Sequence, residues 1–221
     1  MSEMTQLQVG DESVSAYAAM SAEAAPAVGL FHPWWGLNDD LKAYADRLAG
    51  AGFNVLAPDM FNGKVAETIE DAERLARSAD EDRCSEITLA TIDSLLSVPG
   101  AAQKVGVLGF SFGAAFAVWS AAQRNEVVAT VVYYGTWVGE ILGQASTPVL
   151  GHFAEEDPYE DADTVSQFEK MLRDAGRDTT IHVYHGTGHW FAEPSKDAYR
   201  ADPAETAFQR TVEFLRGHLV G

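Results

Sequence analysis

Residues 105–115 read VGVLGFSFGAA, in which an apolar run passes through a Gly-x-Ser-x-Gly turn into a run of small residues. The apolar run predicts a core strand over residues 105–110, and the segment after the turn predicts a helix over residues 112–124. A serine in a sharp turn between a strand and a helix is typical of a nucleophile elbow, because the strained backbone lifts its hydroxyl clear of the sheet. We therefore expect Ser111 to be a nucleophile.

Two glycines, Gly109 and Gly113, flank this serine. Because they have no Cβ atom, they allow the strand and the helix to approach closely around it. The start of the helix also directs its positive dipole end and its free N–H groups at the reaction centre. The alternative interpretation is a glycine-rich turn in which Ser111 is an ordinary helix cap.

Strands and helices alternate along the rest of the chain, after two short predicted strands over residues 5–9 and 13–18. Repeated strand–helix–strand units predict an α/β fold over one domain, residues 1–221, with a mostly parallel sheet and helices on both faces. Such sheets bind ligands at the carboxyl ends of their strands. The remaining predicted strands cover residues 27–32, 53–57, 105–110, 127–133, 149–153 and 181–184. The predicted helices cover residues 38–49, 66–97 (two helices with a break near 80–82), 112–124, 161–175 and 203–218.

A nucleophilic serine needs a base, and the base needs an acid that fixes its tautomer. In this fold class the acid follows the serine along the chain. Asp157 is the expected acid, because it lies in a turn just after a predicted strand. Its neighbours Glu155 and Glu156 are expected to face solvent or to cap the turn. Asp161 and Asp163 are expected to be N-terminal residues of the next helix, where carboxylates are favourable.

His189 is the expected base, because it follows the last predicted strand and the acid in the required order. Gly186 and Gly188 give its loop the freedom to bring the imidazole to the serine. His185 is the alternative, although a structural hydrogen bond is commoner at a strand end. The glycines between His185 and His189 argue against a helix that would place both on one face, so we expect neither a metal nor another cofactor.

Acyl transfer builds negative charge on a carbonyl oxygen, so two N–H donors must be in place. Phe112, directly after the nucleophile, supplies one of them. The loop after an early core strand supplies the second, and Pro33 has no N–H. Trp34 is therefore the first choice and Trp35 the second.

Aromatic residues are concentrated at the predicted strand ends. They either belong to the core or form an apolar, shape-selective pocket. The expected substrate-binding residues are Trp35, Tyr134, Trp137, Trp190 and Phe191.

The chain of 221 residues has 33 acidic and 15 basic residues, so its formal net charge is −18. We expect no nucleic-acid partner, because phosphate backbones are bound through clustered Lys and Arg. No apolar stretch reaches the roughly 18 residues of a membrane span. The one cysteine, Cys84, and the lack of a signal-like N-terminus favour a cytoplasmic protein. We expect this protein to be a monomer or a small homo-oligomer.

Several motifs of this sequence together match the pattern of a known family. They are Gly109-Phe110-Ser111-Phe112-Gly113, Tyr133-Tyr134-Gly135, the turn with Asp157, Gly188-His189, Trp34-Trp35-Gly36-Leu37-Asn38 and Ala57-Pro58-Asp59-Met60. With these motifs the sequence resembles the dienelactone hydrolases over nearly the whole chain after residue 25. The resemblance implies a compact α/β-hydrolase fold without a large cap, and hydrolysis of an ester or lactone through an acyl-enzyme.

The sequence departs from the family pattern in two places. Ser111 stands where the best-known members have a cysteine, and Pro33 stands where they carry a glutamate that holds the thiol. Both changes suit a serine that depends on histidine for proton removal. The arginines that would bind a substrate carboxylate are also not evident, and Glu193 lies where a positive charge is expected. The candidates for that role are Arg74, Arg77, Arg83 and Arg200.

The resulting expectation is a serine hydrolase for small carboxylic esters or lactones. Ser111, His189 and Asp157 would form its triad, and the Phe112 and Trp34 amides its oxyanion hole. One alternative is a true dienelactone hydrolase acting on an anionic lactone. Another is a catalytically silent binding protein with a hydrolase fold.

Overall fold

The computed structural model describes residues 1–22, 24–136 and 147–220. Trp137, one of the expected substrate-binding residues, lies outside them. The strands are β1 (Ser2–Val9), β2 (Glu12–Ala19), β3 (Ala27–Phe31), β4 (Asn54–Pro58), β5 (Val105–Phe110), β6 (Val127–Tyr133), β7 (Val149–Glu156) and β8 (Thr179–Gly188). The helices are α1 (Asp39–Gly50), α2 (Ile69–Ser78), α3 (Glu81–Leu96), α4 (Phe112–Gln123), α5 (Ala162–Asp174) and α6 (Ala201–Leu219).

The eight strands form one sheet in the order β1-β2-β4-β3-β5-β6-β7-β8. Strands β1 and β2 form an antiparallel hairpin, and β2 joins β4 in an antiparallel pair. All other neighbours are parallel. The predicted α/β-hydrolase fold with a mostly parallel sheet is confirmed. None of the described helices is long and apolar enough to cross a membrane.

Alternate side chains of the central strands enter two separate cores. Val28 and Leu30 of β3 pack with α1 and α6, whereas Ala27 and Phe31 of the same strand pack with α3 and α4. This alternation follows from the period of two in a strand, and it buries the sheet on both faces. It also explains why β3 is an unbroken apolar run.

Hydrogen-bonding caps explain where several helices begin. Asn38, Thr68, Asp80 and Asp161 each accept a backbone N–H three residues further on, as N-caps do. Asp80 therefore separates α2 from α3, close to the predicted break. Asp161 and Asp163 were expected at the N-terminus of a helix, and they are the N-cap and a first-turn residue of α5.

The last two strands are longer than predicted. Strand β7 continues to Glu156 and β8 begins at Thr179 and continues to Gly188, with a register shift that pairs these two end residues. The expectation that residues 185–188 form a loop is therefore wrong. Strand β8 lies at the sheet edge, where half-exposed polar residues replace the apolar run that marks a buried strand.

The elbow after β5 depends on two glycines. A Cβ atom on Gly113 would lie 2.3 Å from the carbonyl oxygen of Phe31 in the neighbouring strand. A Cβ atom on Gly109 would lie 2.2 Å from the carbonyl oxygen of Gly113. Since both obstacles are backbone atoms, no side-chain movement relieves them.

We expect Gly113→Ala to lower the free energy of unfolding by about 3 kcal/mol or more, because the added methyl group separates α4 from β3. Urea denaturation followed by circular dichroism measures this change. Gly217→Ala is the matched control. Gly217 is an exposed residue of α6 with nothing within 4 Å of its Cβ position, so this substitution should stabilise the protein by about 0.5 kcal/mol. A Gly113→Ala protein as stable as the wild type would contradict the packing argument.

Candidate active site

Ser111 lies in the turn between β5 and α4 with φ 47° and ψ −112°. A positive φ is costly for a residue with a Cβ atom, so this backbone is strained. The Ser111 N–H donates to the carbonyl oxygen of Tyr133, at 2.9 Å. The half-buried side chain has its Oγ 3.0 Å from Nε2 of His189. The strained turn therefore directs the hydroxyl at an imidazole.

His189 directly follows β8, and its Nδ1 lies 2.7 Å from Oδ2 of Asp157. The two side chains are 3% and 0% exposed. The other carboxylate oxygen of Asp157 accepts the N–H groups of Tyr159 and Glu160, at 2.9 and 3.0 Å. An imidazole that donates from Nδ1 to a carboxylate presents Nε2 as a proton acceptor. The structure thus brings Ser111, His189 and Asp157 together, with His189 between the hydroxyl and the carboxylate.

The rival base and acids lie elsewhere. Nδ1 of exposed His185 is 2.7 Å from Glu155, which also accepts the Gly186 N–H at 2.9 Å. That backbone hydrogen bond and His185 lower the pKa of the Glu155 carboxyl. Glu156 is exposed at the end of β7. These residues lie at the exposed ends of β7 and β8, where Glu155 and Glu156 face solvent, one of the two roles expected for them.

The two expected oxyanion donors come from separate segments of the chain. Phe112 is the first residue of α4, where backbone N–H groups have no partner within the helix. Trp34 lies in the loop after β3, and its half-buried ring contacts Tyr159 and Trp190. The alternative donor, Trp35, is buried in the same loop.

His32, which the sequence analysis did not identify, holds this loop. Its Nδ1 lies 2.7 Å from the Pro33 carbonyl oxygen, and its Nε2 accepts the N–H of Met60 at 3.0 Å. Complete burial lowers the pKa of the imidazole, so it is neutral in this role. A histidine between a core strand and a proline has no distinctive pattern, so only the folded contacts show its role.

A cavity of about 470 Å³ opens beside Ser111. It lies between α3, α4 and the loops after β6 and β7, and sequence reasoning placed only Ser111 and Phe112 in it. The residues that line it are Glu81, Asp82, Ser85, Ser111, Phe112, Ala115, Phe116, Trp119, Thr136 and Glu160.

The structure differs from the predicted aromatic pocket at three of its expected residues. Trp35, Tyr134 and Phe191 are buried in hydrophobic clusters and do not line the cavity. Trp190 is half-buried and packs edge-on against the His189 ring. The core alternative therefore holds for the three buried residues, because a large aromatic at a strand end packs equally well against the sheet.

Carboxylates dominate the charge around the cavity, which is lined by Glu81, Asp82 and Glu160 but by no described Lys or Arg. The Glu160 carboxylate accepts the N–H and the hydroxyl of Thr136, at 3.0 and 2.8 Å. Burial raises the pKa of Glu160 despite these hydrogen bonds. The cavity is therefore suited to neutral or cationic groups rather than to anions.

The four candidate arginines are occupied away from this cavity. Arg74 and Arg77 form ion pairs with carboxylates of their own helix, α2. Arg83 pairs with Glu12 and with a residue of its own helix, α3. Arg200 donates to backbone carbonyl oxygens beside it. Among the described residues, no group of three or more His, Cys, Asp or Glu side chains is arranged to hold a metal ion.

The model of the dienelactone hydrolase family matches residues 14–219 of the chain. A protein from Aquifex aeolicus is 31% identical and covers 99% of this chain and 100% of its own length. The carboxymethylenebutenolidase of Rhodococcus opacus is 30% identical over 92% of this chain and 85% of its own length. The crystal structure of a dienelactone hydrolase from Anabaena variabilis has a TM-score of 0.77 at 20% identity, with 99% and 98% of the two chains covered.

The fold is that of an α/β-hydrolase, and the chain belongs to the dienelactone hydrolase family. This membership confirms the resemblance in the sequence. It also confirms the expectation of a dienelactone hydrolase-like enzyme that hydrolyses esters or lactones.

The strain at the elbow has a measurable consequence. We expect Ser111→Gly to be more stable than Ser111→Ala by about 1 kcal/mol, because only glycine adopts this positive φ without Cβ strain. Both variants lack the hydroxyl, so the comparison isolates the backbone. Urea denaturation of the two proteins measures the difference, and equal stabilities would contradict a strained elbow.

Proposed function

We propose that this protein is a serine hydrolase that cleaves small neutral carboxylic esters or lactones through an acyl-enzyme. The observation that carries the proposal is the 3.0 Å contact between Ser111 Oγ and His189 Nε2, backed by the buried contact of His189 with Asp157. A hydroxyl, a base and an orienting acid at these distances are the machinery of nucleophilic acyl transfer.

The reaction begins when His189 Nε2 takes the Ser111 proton and Oγ attacks the substrate carbonyl carbon. The carbonyl oxygen becomes an oxyanion, which the N–H groups of Phe112 and Trp34 stabilise. Asp157 stabilises the imidazolium, which then protonates the leaving alcohol as the carbon–oxygen bond breaks. Water, deprotonated by the same imidazole, attacks the acyl-enzyme and releases the acid, and Ser111 regains its proton.

The acidic lining of the cavity supports a neutral substrate. A carboxylated substrate would approach Glu81, Asp82 and Glu160 without a described basic residue to bind it. The second candidate, hydrolysis of an anionic lactone, is favoured by the name of the Rhodococcus opacus relative. The two candidates share the chemistry at Ser111 and differ in the charge that the cavity accepts.

A catalytically silent binding protein is the third candidate. The assembled contacts of Ser111, His189 and Asp157 argue against it, because binding alone does not require a hydroxyl, base and acid in series.

We propose that residues 1–221 act as one domain in the cytoplasm on small molecules. The net charge of −18 disfavours a nucleic-acid partner.

Ser111→Ala is expected to reduce kcat for p-nitrophenyl acetate by about 10³-fold or more, because no other group can form the acyl-enzyme. Stopped assays and labelling with a fluorophosphonate probe measure this loss. Ser166→Ala, an exposed serine on α5, is the control and should keep wild-type activity and labelling. Labelling or turnover that persists in folded Ser111→Ala would refute the assignment.

Substrate charge is expected to matter at the cavity. The kcat/KM for p-nitrophenyl acetate should exceed that for the monoanionic p-nitrophenyl succinate by about tenfold at low salt, and added salt should narrow the ratio. The double substitution Glu81→Gln and Asp82→Asn should also reduce this ratio of kcat/KM values. The control pair Glu3→Gln and Glu213→Gln, two exposed acids away from the cavity, makes the same change in net charge. A preference for the succinate would favour the anionic-lactone candidate instead.

A further inference from the structure

A buried hydrogen bond lies behind the site, between the Tyr134 hydroxyl and Oε1 of Glu193, at 2.9 Å. The two residues are 0% and 1% exposed. Burying a carboxyl and a phenol this deep in a core costs free energy unless the groups are hydrogen-bonded. Glu193 was notable in the sequence only because it occupies a position where the family resemblance leads one to expect a positive charge.

One end of this hydrogen bond belongs to the backbone that surrounds the nucleophile. Tyr133, directly before Tyr134, accepts the Ser111 N–H through its carbonyl oxygen. On the other side, a Cβ atom on Gly135 would lie 2.5 Å from the Ser111 carbonyl oxygen. Tyr134 itself has a φ of 35°, a strained value that its fixed side chain helps to hold.

The other end belongs to the turn that carries the base. This turn closes through hydrogen bonds from Phe191 N–H to the Gly188 carbonyl oxygen and from Glu193 N–H to the Trp190 carbonyl oxygen. His189 lies between these residues. Its imidazole also packs on the Tyr134 ring, with the ring centroids 4.9 Å apart.

We propose that Tyr134 and Glu193 are positioning residues whose hydrogen bond joins the nucleophile's backbone to the His189 turn and keeps the imidazole within reach of Ser111. This inference rests on the proposed function, because it assigns the pair a role in the same reaction. Neither residue lines the cavity, so the pair acts through His189 and not on the substrate.

The charge state of Glu193 makes this connection sensitive to pH. Burial raises the pKa of Glu193 from its ordinary value of 4.5 to about 8, although Tyr134 and Lys196 oppose the shift and Asp40 adds to it. Its Oε2 has no hydrogen-bond partner among the described residues. At neutral pH the group is therefore an uncharged acid. Ionisation above about pH 8 places an incompletely satisfied charge in the core and weakens the connection.

The sign of the effect on stability follows from proton linkage. The folded protein binds the Glu193 proton more tightly than the unfolded chain does, since its pKa is about 8 rather than 4.5. The stability that this proton contributes is thus fully present below about pH 4.5 and is lost as the pH rises through about pH 8. Glutamine keeps the acceptor oxygen without a titrating proton.

The test measures kcat and KM for p-nitrophenyl acetate between about pH 6 and pH 9 in the full chain. Tyr134→Phe and Glu193→Leu should each lower kcat about tenfold with KM changed by less than about twofold, and the double variant should be no worse than either single variant. Glu193→Gln should retain kcat within about threefold at neutral pH and should lack the wild-type decline above about pH 8.

Tyr184→Phe is the matched control, because it also removes a buried tyrosine hydroxyl, one that is bonded to His152 on the neighbouring strand and not to Glu193. It should lower the melting temperature without changing kcat. If Tyr134→Phe does not fold, the pH profile of Glu193→Gln decides the matter. Folded Tyr134→Phe and Glu193→Leu proteins with wild-type kcat, or a Glu193→Gln protein with the wild-type alkaline decline, would overturn the inference alone. A wild-type protein without esterase activity or probe labelling would overturn the proposed function, and this inference with it.

Discussion

Three backbone segments meet around Ser111 at distances that leave no room for a Cβ atom. Gly113 lies against the carbonyl oxygen of Phe31 in β3, and Gly135 lies against that of Ser111 itself. These approaches join the end of β3, the nucleophile turn with the start of α4, and the segment after β6 in one rigid unit. The direction of the Ser111 hydroxyl, and with it the site, depends on this contact between backbones.

A network of buried polar side chains connects the neighbouring strands β6, β7 and β8 to helices α1 and α6. The hydroxyl of Tyr133 lies 2.9 Å from those of Tyr44 and Thr211, and His152 bonds to Thr211 and Tyr184 at 3.1 and 2.9 Å. Burial holds the pKa of His152 well below its usual range, so it is neutral. Because these partners satisfy one another's hydrogen bonds, the core tolerates these buried polar groups.

Two kinds of signal made much of the site predictable. The elbow is a local pattern, since the strand, the turn and the helix are adjacent in sequence. Asp157 and His189 were selected because parallel strands end at one edge of a sheet, whatever their separation along the chain. The same reasoning misplaced Trp35, Tyr134 and Phe191, because hydrophobicity does not distinguish a pocket wall from the core beside it.

The amino-acid pattern alone was enough to establish the order of strands and helices, the elbow at Ser111 and the polar residues at the strand ends. These features depend on periodicity and on turn chemistry, which are local. Only the tertiary structure decided that Trp119, Thr136 and Glu160 line the cavity and that Glu193 reaches Tyr134. Such contacts join segments far apart in sequence, and they depend on side-chain directions that are set when the helices pack on the sheet.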